Sequence, residues 1–266
     1  YDFANVKNRI ILSSTRENME KEMSSKCKEK FSTKYNITKV KITLTDDYCV
    51  NAFEKEVVYL LSFDVDKLLA GFRETAGLDM KGVKRYAGWE STLIGGHTLG
   101  HYLTACVQAY ETANISKEDK KALLDKLTKI TEGLKECQDA LGTGFIFGAE
   151  ILDKNNVEQQ FDNIEKNKTN IMNQAWVPWY TMHKILAGVI DVYKYTGNET
   201  ALELAKELGT WVYNRTQTWS SSTHRTVLNI EYGGMNDCLY ELYAVTGEDI
   251  FAVAAHAFDE DTLFEA

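Results

Sequence analysis

A repeated helix–turn–helix pattern in the second half of the chain constrains its fold more than any other feature. Five positions recur at a shift of 50 residues, as the pairs Tyr193 and Tyr243, Thr196 and Thr246, Gly197 and Gly247, Glu199 and Asp249, and Ala205 and Ala255. A repeat of about 50 residues, in which two helices flank a tight Thr-Gly turn, indicates stacked helical hairpins. Such hairpins build either an open solenoid or a closed α/α toroid, and periodicity alone does not choose between these two.

Proline usage agrees with a helical fold. Among 266 residues there is a single proline, Pro178, whereas average usage gives roughly 13. Because proline marks loops, sheet edges and kinks, its scarcity disfavours a β-sandwich rich in proline turns and a proline-rich linker. Pro178 falls in the first turn of a predicted helix, where its missing N–H costs least.

Charge and cysteine content exclude several classes of protein. The 30 basic and 39 acidic residues give a net charge of −9, which disfavours nucleic acid and anionic membranes as partners because both require a basic face. No apolar run reaches the roughly 18 residues of a membrane span. The five cysteines are widely spaced and include no Cys-x-x-Cys pair, so neither a disulfide framework nor a zinc finger is indicated.

Local patterns predict a short β-containing segment followed by helices. Alternation predicts strands at 3–12 and 39–45, with a polar excursion between them, so that 1–45 and 46–266 form separate units. Helical periodicity predicts one helix over 51–75. Further helices are predicted at about 96–112, 117–140, 176–195, 199–215, 229–245 and 249–264. Residues 142–174 have no clear periodicity, and irregular stretches of that length are often functional or mobile.

Two predicted helices carry polar or aromatic stripes. His97 and His101 are four residues apart on one face, a spacing that suits either a metal or hydrogen bonds to neighbouring helices or to a ligand hydroxyl. No third ligand is identifiable, so no metal site is predicted. On the later helix, Trp176, Tyr180 and His183 share a stripe. Aromatic faces beside hydrogen-bonding groups suit a sugar ring, although an aromatic core helix explains the same pattern.

A third cluster lies at the predicted helix 229–245. Glu231 precedes Gly233 and Gly234, which permit close approach of a neighbour or a ligand, and its carboxylate either meets a substrate or stabilises the helix N-terminus. Glu90, beside Trp89 in a glycine-rich lead-in, belongs to a cleft rim or a packed loop. In a toroid of hairpins the starts of the first helices meet at one end, so we expect these three clusters to share one cleft.

Several motifs resemble the β-L-arabinofuranosidase superfamily, glycoside hydrolase family 127 and its relatives. The resemblance covers roughly residues 40–264 and is carried by Asp64 to Arg73 (DVDKLLAGFR), Gly88 to Ser91 (GWES), Gly96 to Ala105 (GHTLGHYLTA), Trp176 to Gly188 (WVPWYTMHKILAG) and Glu231 to Asn236 (EYGGMN). It implies an all-α fold of the (α/α)6 barrel type and a carbohydrate substrate from plant or microbial glycans. It also implies a secreted bacterial protein, and therefore an extracellular or cell-surface location.

The resemblance implies a chemistry that this sequence does not contain. Family members use a cysteine nucleophile, held with two further cysteines and a glutamate around zinc, and a second glutamate as acid/base. None of the five cysteines here lies in a matching motif, so no catalytic residue and no zinc ligand is assigned, although zinc is expected in the complete family domain. The positions transferred as substrate-binding are Trp89, His97, His101, Trp176, His183, Glu231 and Asn236, and the aromatic stripe adds Tyr180 to them.

The sequence therefore predicts a glycoside hydrolase, or a truncated part of one, that cleaves L-arabinofuranosyl or similar bonds. Six hairpins of about 50 residues need more than 266 residues, so we expect the N-terminal part of an incomplete barrel, with little hydrolysis by itself. The alternative is a noncatalytic carbohydrate-binding or scaffold module of helical hairpins. The sequence leaves the oligomeric state open.

Overall fold

The structure, a computed structural model, describes residues 43–260. Within this range the chain is built from α-helices and a single 3-10 turn, Gly88–Ser91, without a β-strand. In chain order the helices are α1 (Asp47–Ser62), α2 (Val65–Thr75), α3 (His97–Glu111), α4 (Lys117–Leu141), α5 (Gln159–Glu165), α6 (Pro178–Thr196), α7 (Glu199–Thr216), α8 (Ser221–Ile230), α9 (Met235–Thr246) and α10 (Asp249–His256). No helix in the described part of the chain is long and apolar enough to cross a membrane.

The helices form hairpins arranged in two layers. The first helices pack in chain order, α1 on α3, α3 on α6 and α6 on α9, and the second helices follow in the same order, α2 on α4, α4 on α7 and α7 on α10. This two-layered succession is the architecture of an α/α toroid and confirms the predicted all-α fold class.

The Thr-Gly turns identified as a repeat close two of these hairpins. Gly197 and Gly247 end α6 and α9 in the left-handed conformation, each with φ of 71°, which glycine adopts without the penalty that a Cβ imposes. Each glycine N–H donates to the carbonyl four residues earlier, of Tyr193 and Tyr243 respectively. The same local chemistry therefore produces the same turn twice.

The predicted helix at 51–75 is wrong in one respect, because the structure has two helices there. The Asp64 carboxylate accepts hydrogen bonds from the backbone N–H groups of Asp66 and Lys67 and so caps α2. An aspartate that caps a new helix ends the preceding one, because its own backbone is extended. Continuous apolar periodicity hid this break.

The predicted helix at 229–245 is also wrong at its start. Residues 229 and 230 instead end α8, an unpredicted helix capped by Ser220. Gly233 and Gly234 have φ of 75° and 74°, values that exclude a right-handed helix, so α9 begins only at Met235. The next helix, α10, ends at His256 and not at residue 264.

Two other predictions fall on irregular parts of the chain. Residues 142–174 are not wholly irregular, since they contain the short helix α5. The predicted strand at 3–12 lies outside the described residues, as does most of that at 39–45, whose last three residues are irregular.

A glycine contact draws the two central helices together. A Cβ on Gly100 would lie 2.1 Å from the Lys184 carbonyl oxygen, and a Cβ on Gly188 would lie 2.5 Å from the Gly100 carbonyl oxygen. Only glycine permits this approach of α3 and α6. The contact brings the polar stripes of both helices to one end of the layer.

Candidate functional site

A cleft of about 380 Å³ opens where α3, α6 and α9 begin. It is lined by Trp89, Ile94, Val177, Trp179, Tyr180, Ile230, Glu231, Tyr232, Gly233, Met235 and Phe258. The segments before these three helices and the residues after α10 therefore form its walls. Its mixture of aromatic rings and a few polar groups is typical of small-molecule sites.

Aromatic side chains form the rim. Trp89 is 64% exposed, and its ring centroid lies 5.9 Å from that of Trp176 and 6.2 Å from that of His97. His97 in turn lies 6.2 Å from the ring of Tyr180. Exposed aromatic faces of this size, grouped at one cleft, offer stacking surfaces for an apolar ring face.

Three histidines lie beside these aromatic side chains. The rings of His97 and His101 are 6.3 Å apart, and His183 lies 6.3 Å from Tyr180. Gly234 packs against His183 so closely that a Cβ there would lie 2.5 Å from Nδ1. Close approach of the glycine, anticipated from the sequence, is thus made to a histidine.

The surroundings shift the pKa values of these histidines in different directions. Burial and the positive charge of Lys184 lower the pKa of His183 to about 4, and the same two causes lower the pKa of His101. The hydrogen bond to Glu90 raises the pKa of His97 against the effect of burial. At neutral pH, His183 is therefore an uncharged imidazole, which can both donate and accept a hydrogen bond.

Glu90 caps α3 from outside the helix. Its two carboxylate oxygens accept the backbone N–H groups of Gly96, at 2.8 Å, and Thr98, at 3.1 Å. Nδ1 of His97 lies 3.1 Å from the same carboxylate and 2.8 Å from the Ile94 carbonyl oxygen. Since both partners only accept, Nδ1 carries the proton. Burial works to raise the pKa of Glu90, but these hydrogen bonds outweigh it and the pKa is lowered.

Glu231 has the same relation to α6. Its Oε2 accepts the backbone N–H of Tyr180 at 2.9 Å, across 51 residues of sequence. The side chain is 92% buried, Oε1 has no hydrogen-bond partner, and burial raises the pKa to about 8. The expectation that this carboxylate stabilises the helix following it is wrong, because it meets the N-terminus of α6 and not of α9.

The structure brings together seven of the eight residues proposed from the sequence. Trp89, Tyr180 and Glu231 line the cleft, and ring contacts join Trp176, His97, His101 and His183 to them.

Asn236 lies apart from this group. Its Nδ2 donates to Asp259, which also accepts hydrogen bonds from Tyr240 and His256. Residue spacing on α9 does not reveal this partner, which comes from the segment after α10.

Sequence reasoning assigned three of the eleven lining residues and did not assign the other eight, among them Trp179, Tyr232 and Met235. Trp179 stands between Pro178 and Tyr180, and this place at a predicted helix start is the signal that could have found it. Tyr232 is 60% exposed, which no local pattern indicates.

The described residues do not fit a family zinc centre. Residues 43–260 contain no group of three or more His, Cys, Asp or Glu side chains placed to hold a metal. Cys106, Cys137 and Cys238 are buried, and burial raises the pKa of each thiol, to about 12 for the first two. A nucleophilic cysteine requires the opposite shift. Cys49 is exposed, and Cys27 lies outside the described residues.

Comparisons with known proteins give the following results. The family model described as "Beta-L-arabinofuranosidase, GH127 catalytic domain" matches residues 41–266. A crystal structure of a GH127 β-L-arabinofuranosidase from Geobacillus stearothermophilus T6 is similar to the chain, with a TM-score of 0.54 and 13% identity. The similarity covers 82% of this chain and 32% of that one, so the chain spans about a third of the solved relative. No curated protein sequence matches it.

Proposed function

The chain belongs to the family of GH127 β-L-arabinofuranosidase catalytic domains, and from this premise we propose that it forms the sugar-binding part of a glycoside hydrolase. The substrate would be an L-arabinofuranosyl or similar glycoside in a plant or microbial glycan. A glycan outside the cell as substrate suits a secreted bacterial protein, which we include in the proposal.

One structural feature is the main support for this proposal. Exposed aromatic faces of Trp89 and Tyr180 stand beside neutral imidazole and buried carboxyl groups at the same end of α3 and α6. A sugar has apolar C–H faces and a rim of hydroxyl groups, so it requires stacking surfaces and hydrogen-bonding groups together. The charge pattern does not suit a phosphorylated ligand as well, because Glu90 is ionised in the same region.

The residues present can bind and orient a sugar. Since Nδ1 of His97 is held by Glu90 and Ile94, its other ring nitrogen is available to a ligand hydroxyl. Neutral His183 can bond a second hydroxyl. Both glutamates are engaged at helix N-termini, so we assign neither a proton-transfer step. No step is assigned to a metal, since the described residues provide no place for one.

Calorimetric titration with methyl β-L-arabinofuranoside tests the proposal. We expect saturable binding that His183→Ala weakens at least about tenfold, the equivalent of about 1.4 kcal/mol. His256→Ala, which removes a histidine paired with Asp259 outside the cleft lining, is the matched control and should keep the affinity. Absence of binding by the unaltered protein would contradict the proposal.

A turnover measurement separates the hydrolase from a noncatalytic carbohydrate-binding module. The protein to measure is a longer one, in which this chain is joined to the further domain length that the solved GH127 relative has. It should release p-nitrophenol from p-nitrophenyl β-L-arabinofuranoside, and His183→Ala should suppress the release. Binding by that extended protein without any product would favour the module instead.

A further inference from the structure

Two buried polar atoms in the walls of the cleft have no hydrogen-bond partner. They are Nε1 of Trp179, a donor, and Oε1 of Glu231. Both residues line the cleft, although they come from different elements, α6 and the connection between α8 and α9. A buried polar atom without a partner costs about 1–3 kcal/mol, so two of them around one cleft indicate that an occupant satisfies them.

We propose that the Trp179 indole N–H and Glu231 Oε1 bind hydroxyl groups of the sugar in the cleft and so determine its specificity. This inference rests on the proposed sugar-binding function and extends it to Trp179, which neither the motifs nor the fold assigns to the site. A site built to bond a hydroxyl rejects an analogue that lacks it, because its buried polar groups then stay unpaired.

Neighbouring contacts leave these two atoms for a ligand. The other Glu231 oxygen is taken by the Tyr180 N–H, and the backbone N–H of Trp179 also acts on this carboxyl group. The indoles of Trp211 and Trp219 in the same aromatic cluster donate to Glu158 and Glu165. Trp179 packs against both rings, at 5.9 Å and 5.6 Å, yet its own N–H reaches neither carboxylate.

Protonation of Glu231 makes the pair suited to hydroxyl oxygens. Burial raises the pKa of Glu231 to about 8, so the carboxyl is protonated at neutral pH. With Oε2 accepting from Tyr180, the proton belongs on Oε1, and both free groups are then donors. A hydroxyl oxygen has two lone pairs to offer them.

Trp179→Phe tests the inference, because it removes the N–H and keeps an aromatic ring. Calorimetry compares methyl β-L-arabinofuranoside with its 2-, 3- and 5-deoxy analogues. We expect Trp179→Phe to bind the parent glycoside about 5- to 20-fold more weakly. One deoxy analogue should bind the variant and the unaltered protein equally. Trp219→Phe, the matched control, should keep the affinity, since its N–H is bonded to Glu165.

A second pair of variants tests the carboxyl. Glu231→Gln keeps an acceptor for Tyr180 and a donor toward the cleft, so it should retain the affinity at pH 7, whereas Glu231→Leu should lose it. If Glu231→Leu fails to fold, the tryptophan series decides alone.

The outcomes separate this inference from the function on which it rests. If Trp179→Phe weakens the parent and every deoxy analogue by one common factor, or not at all, the inference is wrong and sugar binding stands. If the unaltered protein binds none of the four glycosides, the proposed function fails and the inference with it.

Discussion

Two glutamates bind the N-termini of inner helices in this protein. Glu90 lies just before its helix in the sequence, whereas Glu231 lies 51 residues from its partner. Glu90 and Glu231 each sit at the start of an inner helix that has no side-chain cap of its own, since the capping positions are Gly96 and Val177. A helix N-terminus favours a carboxylate because its first N–H groups lack partners. Glu90 is ionised by its hydrogen bonds, whereas burial keeps Glu231 protonated.

The raised pKa of Glu231 predicts how stability depends on pH. The pKa is about 8 in the folded protein against an ordinary 4.5, so between these values the folded state holds a proton that the unfolded chain releases. The proton on Glu231 therefore contributes its full stabilisation below about pH 4.5. This contribution to the free energy of unfolding is lost as pH rises through 8, at up to about 1.4 kcal/mol per pH unit. In Glu231→Gln this part of the pH dependence should vanish, as measured by urea unfolding from pH 5 to 9.

The control for that measurement is Glu203→Gln, on the exposed face of α7. It should leave the pH slope of the unaltered protein in place. An unchanged slope in Glu231→Gln would show that Glu231 is ionised in the folded state at neutral pH.

Among the contacts between helices, the crossing of α3 and α6 is the one that positions the site. Gly100 and Gly188 meet with backbone against backbone, and the histidines and aromatic residues of both helices follow from that contact.

Gly100→Ala should therefore damage both stability and binding. Its methyl group would meet the Lys184 carbonyl, backbone that cannot move without shifting α6, so we expect a loss of about 2–3 kcal/mol and a weaker affinity for methyl β-L-arabinofuranoside. Urea unfolding and calorimetry measure the two effects.

Gly133→Ala is the matched control, because a Cβ there meets Leu69 Cδ1 at 2.4 Å. A leucine side chain can rotate away, so this variant of α4 should lose less stability and keep the affinity. Equal effects of the two variants would contradict a special role for the α3–α6 crossing.

At the scale of the whole molecule, one arginine ties the long connection 142–174 to the hairpin layers. Arg215 on α7 forms ion pairs with Glu158, Asp162 and Glu165 at 2.6–2.8 Å. These carboxylates come from α5 and its N-cap, and α5 carries Phe161, whose ring packs 4.8 Å from that of Trp179 in the cleft. The arginine thus supports the aromatic cluster beneath the cleft.

Removing this arginine should destabilise the protein. Arg215→Met leaves three carboxylates close together without their cation, at an expected cost of about 2–4 kcal/mol. Arg225→Met, at an exposed position on α8, should cost less than about 0.5 kcal/mol. Equal unfolding midpoints in urea would refute the supporting role of Arg215.

The sequence was most informative where the signal is local. Apolar periodicity placed α3, α4, α6 and α7 to within two residues of their observed ends, and the Thr-Gly turns marked the hairpins. These features depend on atoms within one or two helical turns, so a short stretch of residues determines them. The break at Asp64 is also local, but the uninterrupted apolar pattern outweighed the capping signal.

By itself, then, the sequence determined that the chain folds into helical hairpins and which stripes of those helices are polar or aromatic. Only the tertiary structure decided that Glu231 caps α6, that Asn236 turns to Asp259, and that Trp179 presents an unpaired N–H beside the cleft. The physical reason is that these contacts join residues 23 to 51 positions apart or depend on what surrounds a buried atom. Both are consequences of packing, which helical periodicity does not encode.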